Sequence, residues 1–243
     1  MIGIETLDYS DVAKTIDHSL LRPELDVDTV LDGVRLAMRY DVASATVRPA
    51  DVAAAAQLVD GSDVMISTVV GFPHGSPTTA TKAFETEELI RAGADEIDMV
   101  LNIGRLISAE DDYVEREIRA VVEAAQGRTV KVIFENAYLT DGQKIRACEL
   151  SAAAGAGFVK TSTGFASSGA TLDDLKLMRE HSPPAVQVKA AGGVRTLDAL
   201  LDVMRVGVTR VGATATEAIL EDFKARKAGT APLADARAPT SAY

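Results

Sequence analysis

Eight short β-branched runs alternate with longer, Ala-rich stretches of helical character along 243 residues. Each strand, loop, capped helix and closing glycine spans about 25–30 residues, the size of one βα unit. Together these observations predict a single-domain (β/α)8 TIM barrel, a fold that typically takes about 250 residues. Strands are expected at 15–18, 43–47, 64–70, 96–101, 130–135, 158–161, 185–188 and 209–212. Runs such as VMISTVV and VKVIF are almost continuously apolar, as suits strands buried on both faces of a parallel sheet. Helix starts follow from cap chemistry. Ser76-Pro77 pairs an N-cap with a proline at the first helical position. Ser108-x-x-Asp111 and Thr171-x-x-Asp174 fit the looser Ser/Thr-x-x-acid pattern, and Thr140-x-x-Gln143 is a capping box. Val114, Ile118, Val121, Val122 and Ala125 recur at helical spacing. Gly93, Gly127, Gly155 and Gly207 stand where helices should end. No linker divides the chain, so 1–228 reads as the barrel and 229–243, small, polar and proline-containing, as a mobile tail.

Charge and cysteine content exclude several classes of function. Lys and Arg number 25 against 36 Asp and Glu, a net charge of −11. No basic footprint for nucleic acid or anionic membranes is present, although a few local donors suffice for a small anionic substrate. The single cysteine, Cys148, excludes a disulfide framework and a cysteine-based zinc cluster. His18, His74 and His181 lack H-x-x-x-H spacing, so a histidine-rich metal site is not expected, while carboxylates alone leave a hard-cation site open. The start, MIGIETLDYSDVAK, has no basic segment leading into an apolar run, and no stretch nears the 18 or so apolar residues of a membrane span. The expected location is the cytoplasm.

In such barrels the chemistry sits at the C-terminal ends of the strands. Polar residues expected there are Asp17, Arg48, His74, Asp98, Asn102, Glu135, Asn136, Lys160 to Thr163, Lys189 and Thr214. Lys160 in GFVKTSTG and Lys189 in VQVKAAGG each stand between strand residues and small loop residues. Lysine is rarely buried without a partner, and burial beside a like charge lowers its pKa. Moving a lysine from about 10.4 to about 7 takes roughly 4–5 kcal/mol. The product is a neutral amine able to form a Schiff base with a carbonyl, with Asp98 in EIDMV placed to shuttle protons. A single strand lysine is more often a snorkelling or salt-bridged residue; two lysines and an aspartate at one barrel mouth favour catalysis. The glycine-rich stretches Ala190–Arg195 and Val211–Thr214 follow or end the last two strands, where such barrels commonly hold phosphate.

The stretches IDHSLLRP, VVGFPHG, KAFET, GADEIDMVLNIG, KIRACELSAAAGAGFVKTSTGF, SGATLDDLKLM and VKAAGGVRTL occur in that order between about residues 12 and 225. They resemble those of the deoxyribose-phosphate aldolase family. The resemblance implies a class I aldolase without metal or cofactor, cleaving 2-deoxy-D-ribose 5-phosphate reversibly to acetaldehyde and D-glyceraldehyde 3-phosphate. It implies Lys160 as the Schiff-base lysine, Lys189 as the lysine that perturbs it, and Asp98 with Asp17 as a proton relay. Thr163, Gly164, Gly192 and Gly193 match substrate and phosphate positions, and Gly212 and Thr214 fall in the last phosphate loop. Tyr243 matches a terminal tyrosine whose phenol would move a proton over the site. The implied partners are a small phosphosugar and aldehydes, and a homodimer through outer helices is an expectation for barrels of this kind. Three places depart from the pattern: ATVRP, with Thr46 and Arg48; FENAYLTD, with Phe134 and Asn136; and VGATATEAIL, where Ala215 lacks a hydroxyl. The last change would shift a phosphate toward Arg48 or Thr216, or signal a different sugar. The alternatives are therefore a related lysine-dependent aldolase acting on another or unphosphorylated deoxy-sugar, and a phosphosugar isomerase with a carboxylate base.

Overall fold

A computed structural model describes residues 2–230. Strands β1 (Ile16–Leu20), β2 (Ser44–Val47), β3 (Met65–Val70), β4 (Glu96–Val100), β5 (Thr129–Ile133), β6 (Phe158–Lys160), β7 (Gln187–Ala191) and β8 (Arg210–Ala213) close into a barrel in chain order. Every neighbouring pair is parallel, and β8 returns to β1 with Asp17 opposite Gly212. Around the barrel run α1 (Tyr9–Ala13), α2 (Val27–Arg39), α3 (Val52–Leu58), α4 (Thr79–Arg91), α5 (Ile103–Ile107), α6 (Asp111–Ala124), α7 (Asp141–Ala153), α8 (Leu172–Glu180), α9 (Leu197–Arg205) and α10 (Thr216–Lys227). None of these helices is long and apolar enough to cross a membrane.

The expected caps hold at α7 and α8. Thr140 accepts from the Gln143 amide at 3.4 Å while Gln143 accepts from the Thr140 amide at 2.9 Å, and Thr171 accepts from the Asp174 amide at 3.1 Å. Gly93, Gly127, Gly155 and Gly207 all carry positive φ just past helix ends. Two starts differ. Thr78, not Ser76, caps α4, so Pro77 lies outside the helix. Ser108 closes the short helix α5 instead of opening α6; Ala109 turns left-handed, and α6 begins after Glu110. The seventh strand also runs further than 185–188, because Ala190 and Ala191 pair with Val211 and Gly212. Lys189 therefore stands inside a strand. Tyr243 and the tail positions 231–243 lie outside the described residues.

Side chains alternate in and out along each strand. Ile16, Ala45, Ile66, Ile97, Val132, Val159, Val188 and Val211 point outward and join the helices in one apolar core. Burying each larger one of these contributes about 1.5–3 kcal/mol. The inward positions are of the opposite kind: Asp17, Ser44, Ser67, Glu96, Asp98, Lys131, Lys160, Lys189 and Arg210 meet inside the barrel through hydrogen bonds and ion pairs. Ion desolvation costs several kcal/mol per group. An interior of this composition works against stability unless its charges are well paired, which directs attention to what the pairing does.

Candidate active site

Asp98 on β4 is the hub. Its Oδ2 accepts from Lys160 Nζ on β6 and from Lys189 Nζ on β7, both at 2.7 Å. Its Oδ1 accepts from Lys131 Nζ on β5 at 2.9 Å and from Ser67 Oγ at 3.3 Å. The strand register produces this convergence, since Lys160 faces Lys189 directly and Asp98 faces Lys131. Below, Asp17 Oδ2 lies 2.5 Å from Lys189 Nζ, and its Oδ1 accepts from Arg210 at 2.5 Å and Ser44 at 2.6 Å. Glu96 completes the network, 2.6 Å from Lys131 and 2.9 Å from Arg210. Four cations, Lys131, Lys160, Lys189 and Arg210, thus face three carboxylates, Asp17, Glu96 and Asp98.

One cation is in excess, and Lys160 is the one that yields. Burial, assisted by Lys189 and Lys131 against the attraction of Asp98, lowers its pKa to about 8. For Asp98, burial opposes ionisation, but Lys131, Lys160 and Lys189 outweigh it and hold the carboxyl well below its ordinary range. Asp17 follows the same logic, with Lys189, Lys131 and Arg210 overcoming burial. Lys131 is shifted the other way: Asp98, Asp17 and Glu96 outweigh the burial that disfavours its charge, and its pKa is raised.

Above this network opens a pocket with Lys160, Lys189, Thr163, Gly192, Gly193, Gly212 and Thr214 in its lining. Asp17 and Asp98, wholly buried, lie beneath its floor. Gly164 is placed next door, in a depression shared with Arg22 and Phe165. Gly192 and Gly193 have φ of 81° and 95°, a conformation that side chains rarely adopt. A Cβ on Gly192 would come within 2.9 Å of Gly169 Cα, so the β7 loop packs closely against the preceding loop. Arg195 also lines the pocket and has no ion-pair partner among the described residues. Ala215, the N-cap of α10, gives that helix no side-chain cap.

The two residues to which the altered β8 loop was expected to shift a phosphate are engaged elsewhere. Arg48 donates to Asp51 at 2.7 Å and to the Leu25 carbonyl at 2.7 Å, and it clamps the loop after β1. Thr216 is fully buried, its Oγ1 2.8 Å from Nδ1 of His18, an imidazole that burial lowers to about 4. Thr46, by contrast, lines the pocket, and its hydroxyl has no hydrogen-bond partner among the described residues. Asn136 is buried and donates to Met178 Sδ at 3.4 Å, away from the pocket. Among the described residues no cluster of His, Cys, Asp and Glu is arranged to hold a metal ion.

Reading strand ends alone misses Lys131, Glu96 and Arg210. Lys131 sits inside VKVIF, and a lysine in an otherwise apolar strand is the same signal that marks Lys160 and Lys189.

A model of the DeoC/LacD family aldolases matches residues 26–231. The chain belongs to the DeoC/LacD aldolase family. Among its relatives, the deoxyribose-phosphate aldolase of Clostridium perfringens is 49% identical over 216 residues, covering 88% of this chain and 96% of that protein. The enzyme of the same name from Streptococcus mutans is 50% identical over 206 residues, covering 85% of this chain and 94% of the relative. A tetrameric deoxyribose phosphate aldolase from Aeropyrum pernix superposes with a TM-score of 0.84 at 30% identity, covering 92% of this chain and 95% of that one. As a DeoC/LacD aldolase, the chain carries out carbon–carbon bond chemistry on a small molecule.

Proposed function

We propose that this aldolase cleaves 2-deoxy-D-ribose 5-phosphate reversibly to acetaldehyde and D-glyceraldehyde 3-phosphate, with Lys160 as the Schiff-base nucleophile. The observation that carries the reading is the charge imbalance under the pocket, relieved when Lys160 is neutral. With a pKa of about 8, about a quarter of Lys160 is neutral at about pH 7.5, against about one part in a thousand for an ordinary lysine.

Neutral Lys160 adds to C1 of the open-chain aldehyde and water leaves, giving an iminium ion. The C3 hydroxyl gives up its proton, the C2–C3 bond breaks, and its electrons flow through C1 to nitrogen. Glyceraldehyde 3-phosphate departs and a neutral enamine remains. The proton, relayed through Asp98 with Lys189 and Asp17 behind it, is delivered to C2, and hydrolysis then frees acetaldehyde and the amine. The iminium restores the excess cation inside the barrel; bond cleavage turns it into a neutral enamine while the C3 hydroxyl proton passes into the relay, so the network's net charge is conserved through the step.

For the phosphate, Arg195, the loop of Gly192 and Gly193 and the uncapped start of α10 supply a guanidinium and backbone N–H donors close together. The unengaged Arg195 favours a phosphorylated sugar over the unphosphorylated one. Tyr243 is assigned no step. A homo-oligomer is the assembly we infer, as for the tetrameric relative from Aeropyrum pernix. Incubation with 2-deoxyribose 5-phosphate should release acetaldehyde and glyceraldehyde 3-phosphate in equal amounts, and Lys160→Met should abolish both. Equal turnover of unphosphorylated deoxyribose, or activity in the Lys160→Met variant, would overturn the reading.

A further inference from the structure

Glu135, two residues past the end of β5, adopts φ 58° and ψ 67°. Only a small minority of residues other than glycine take that left-handed conformation, mostly Asn and Asp. The side chain caps no helix, so the backbone geometry is not repaid by a capping bond. Its carboxylate is buried, with the residue 2% exposed, and is directed at one residue. Thr163 donates its backbone N–H to both Glu135 oxygens, at 3.2 and 3.3 Å, and its hydroxyl to Glu135 Oε2. The amide of Phe165 in turn donates to Thr163 Oγ1 at 3.0 Å. Phe165 then packs edge-on against Phe72, with ring centroids 5.3 Å apart.

A threonine hydroxyl has one proton and two lone pairs. Here the proton is committed to Glu135 and one lone pair to Phe165 N–H. The remaining lone pair belongs to a residue that lines the same pocket as Lys160. We propose that Glu135 is a positioning residue: it fixes Thr163 so that its hydroxyl meets the bound substrate only as a hydrogen-bond acceptor, selecting an aldehyde that carries a hydroxyl on its carbon chain. A phosphate or carbonyl oxygen finds no donor there. Burial raises the Glu135 pKa, while the two Thr163 donors and the charge on Lys160 favour its ionised form, so the carboxylate is matched to these neighbours. The proposal rests on Lys160 acting as the Schiff-base residue.

The test compares two aldehydes on one set of variants. Glu135→Ala should lower kcat/KM for 2-deoxyribose 5-phosphate by about 100-fold, the scale of a misplaced positioning group. Borohydride trapping of acetaldehyde, which has no hydroxyl to meet Thr163, should keep its wild-type rate on Lys160. Glu135→Gln, which retains an acceptor oxygen, should recover most of the loss. Thr163→Val should show the same split between the two aldehydes, and adding Glu135→Ala to it should cost little more. If the alanine variant does not fold, the Gln and Val variants carry the comparison. Wild-type sugar cleavage in Glu135→Ala overturns the proposal. So does parallel loss of sugar cleavage and acetaldehyde trapping, which would make Glu135 a support for the whole site. Absence of acetaldehyde trapping in the wild-type enzyme would instead remove the Schiff-base reading, and this proposal with it.

Discussion

Replacing Lys189 by methionine removes one of the two ammonium groups that Asp98 holds at 2.7 Å. Because both contact the same oxygen at 2.7 Å, the Lys160 and Lys189 ammonium nitrogens lie no more than about 5.4 Å apart. At an effective dielectric constant of about 20, their repulsion is about 3 kcal/mol, or slightly more than two pKa units. Removing it moves Lys160 from about 8 to about 10, and the freer Asp98 pulls in the same direction. The nucleophile is the deprotonated amine, so activity climbs as pH rises through the Lys160 pKa. Wild-type kcat/KM should climb with a midpoint near 8 and the Lys189→Met variant with one near 10. The variant should then have about one-hundredth of wild-type activity at about pH 7.5 and come within a few-fold at about pH 10. The assay is kcat/KM between about pH 6.5 and 10, alongside a thermal melt to establish folding. A midpoint that stays near 8, or a loss of equal size at every pH, would refute the electrostatic argument.

Arg195→Gln should weaken kcat/KM for the phosphorylated sugar by about 10- to 100-fold, the value of a hydrogen bond between charged groups, and leave turnover of unphosphorylated deoxyribose unchanged. Stability should fall in acid: the Asp17 and Asp98 carboxyls are held below their unfolded value, so their contribution is complete above about pH 5 and is lost as pH drops through about 4 toward their folded values. Urea midpoints against pH read this directly, and Asp98→Asn should flatten the decline.

The architecture was legible because each layer leaves its own mark. Continuous apolar strands, threonine caps such as Thr140 and Thr171, and glycines past helix ends are all local chemistry. Lys160 and Lys189 were legible for a related reason, as ions set between apolar strand and small loop. Glu96 and Arg210 were not, because they stand at the first positions of β4 and β8, and a search confined to the C-terminal ends passes over them. Lys131 lies mid-strand, and its meaning depends on the register that sets it opposite Asp98, which no single segment contains. Ser108 misled because the short helix α5, capped by Asn102, occupies the place where a loop was expected. Glu135 could be named as a strand-end acid, but its attachment to Thr163 is a contact between two loops 28 residues apart.

The most direct measurement is borohydride reduction in the presence of 2-deoxyribose 5-phosphate, followed by intact mass and peptide mapping. The account predicts one reduced adduct, on Lys160, and none on Lys131 or Lys189. An adduct on either of those two lysines, or none on folded protein turning over the sugar phosphate, would contradict it.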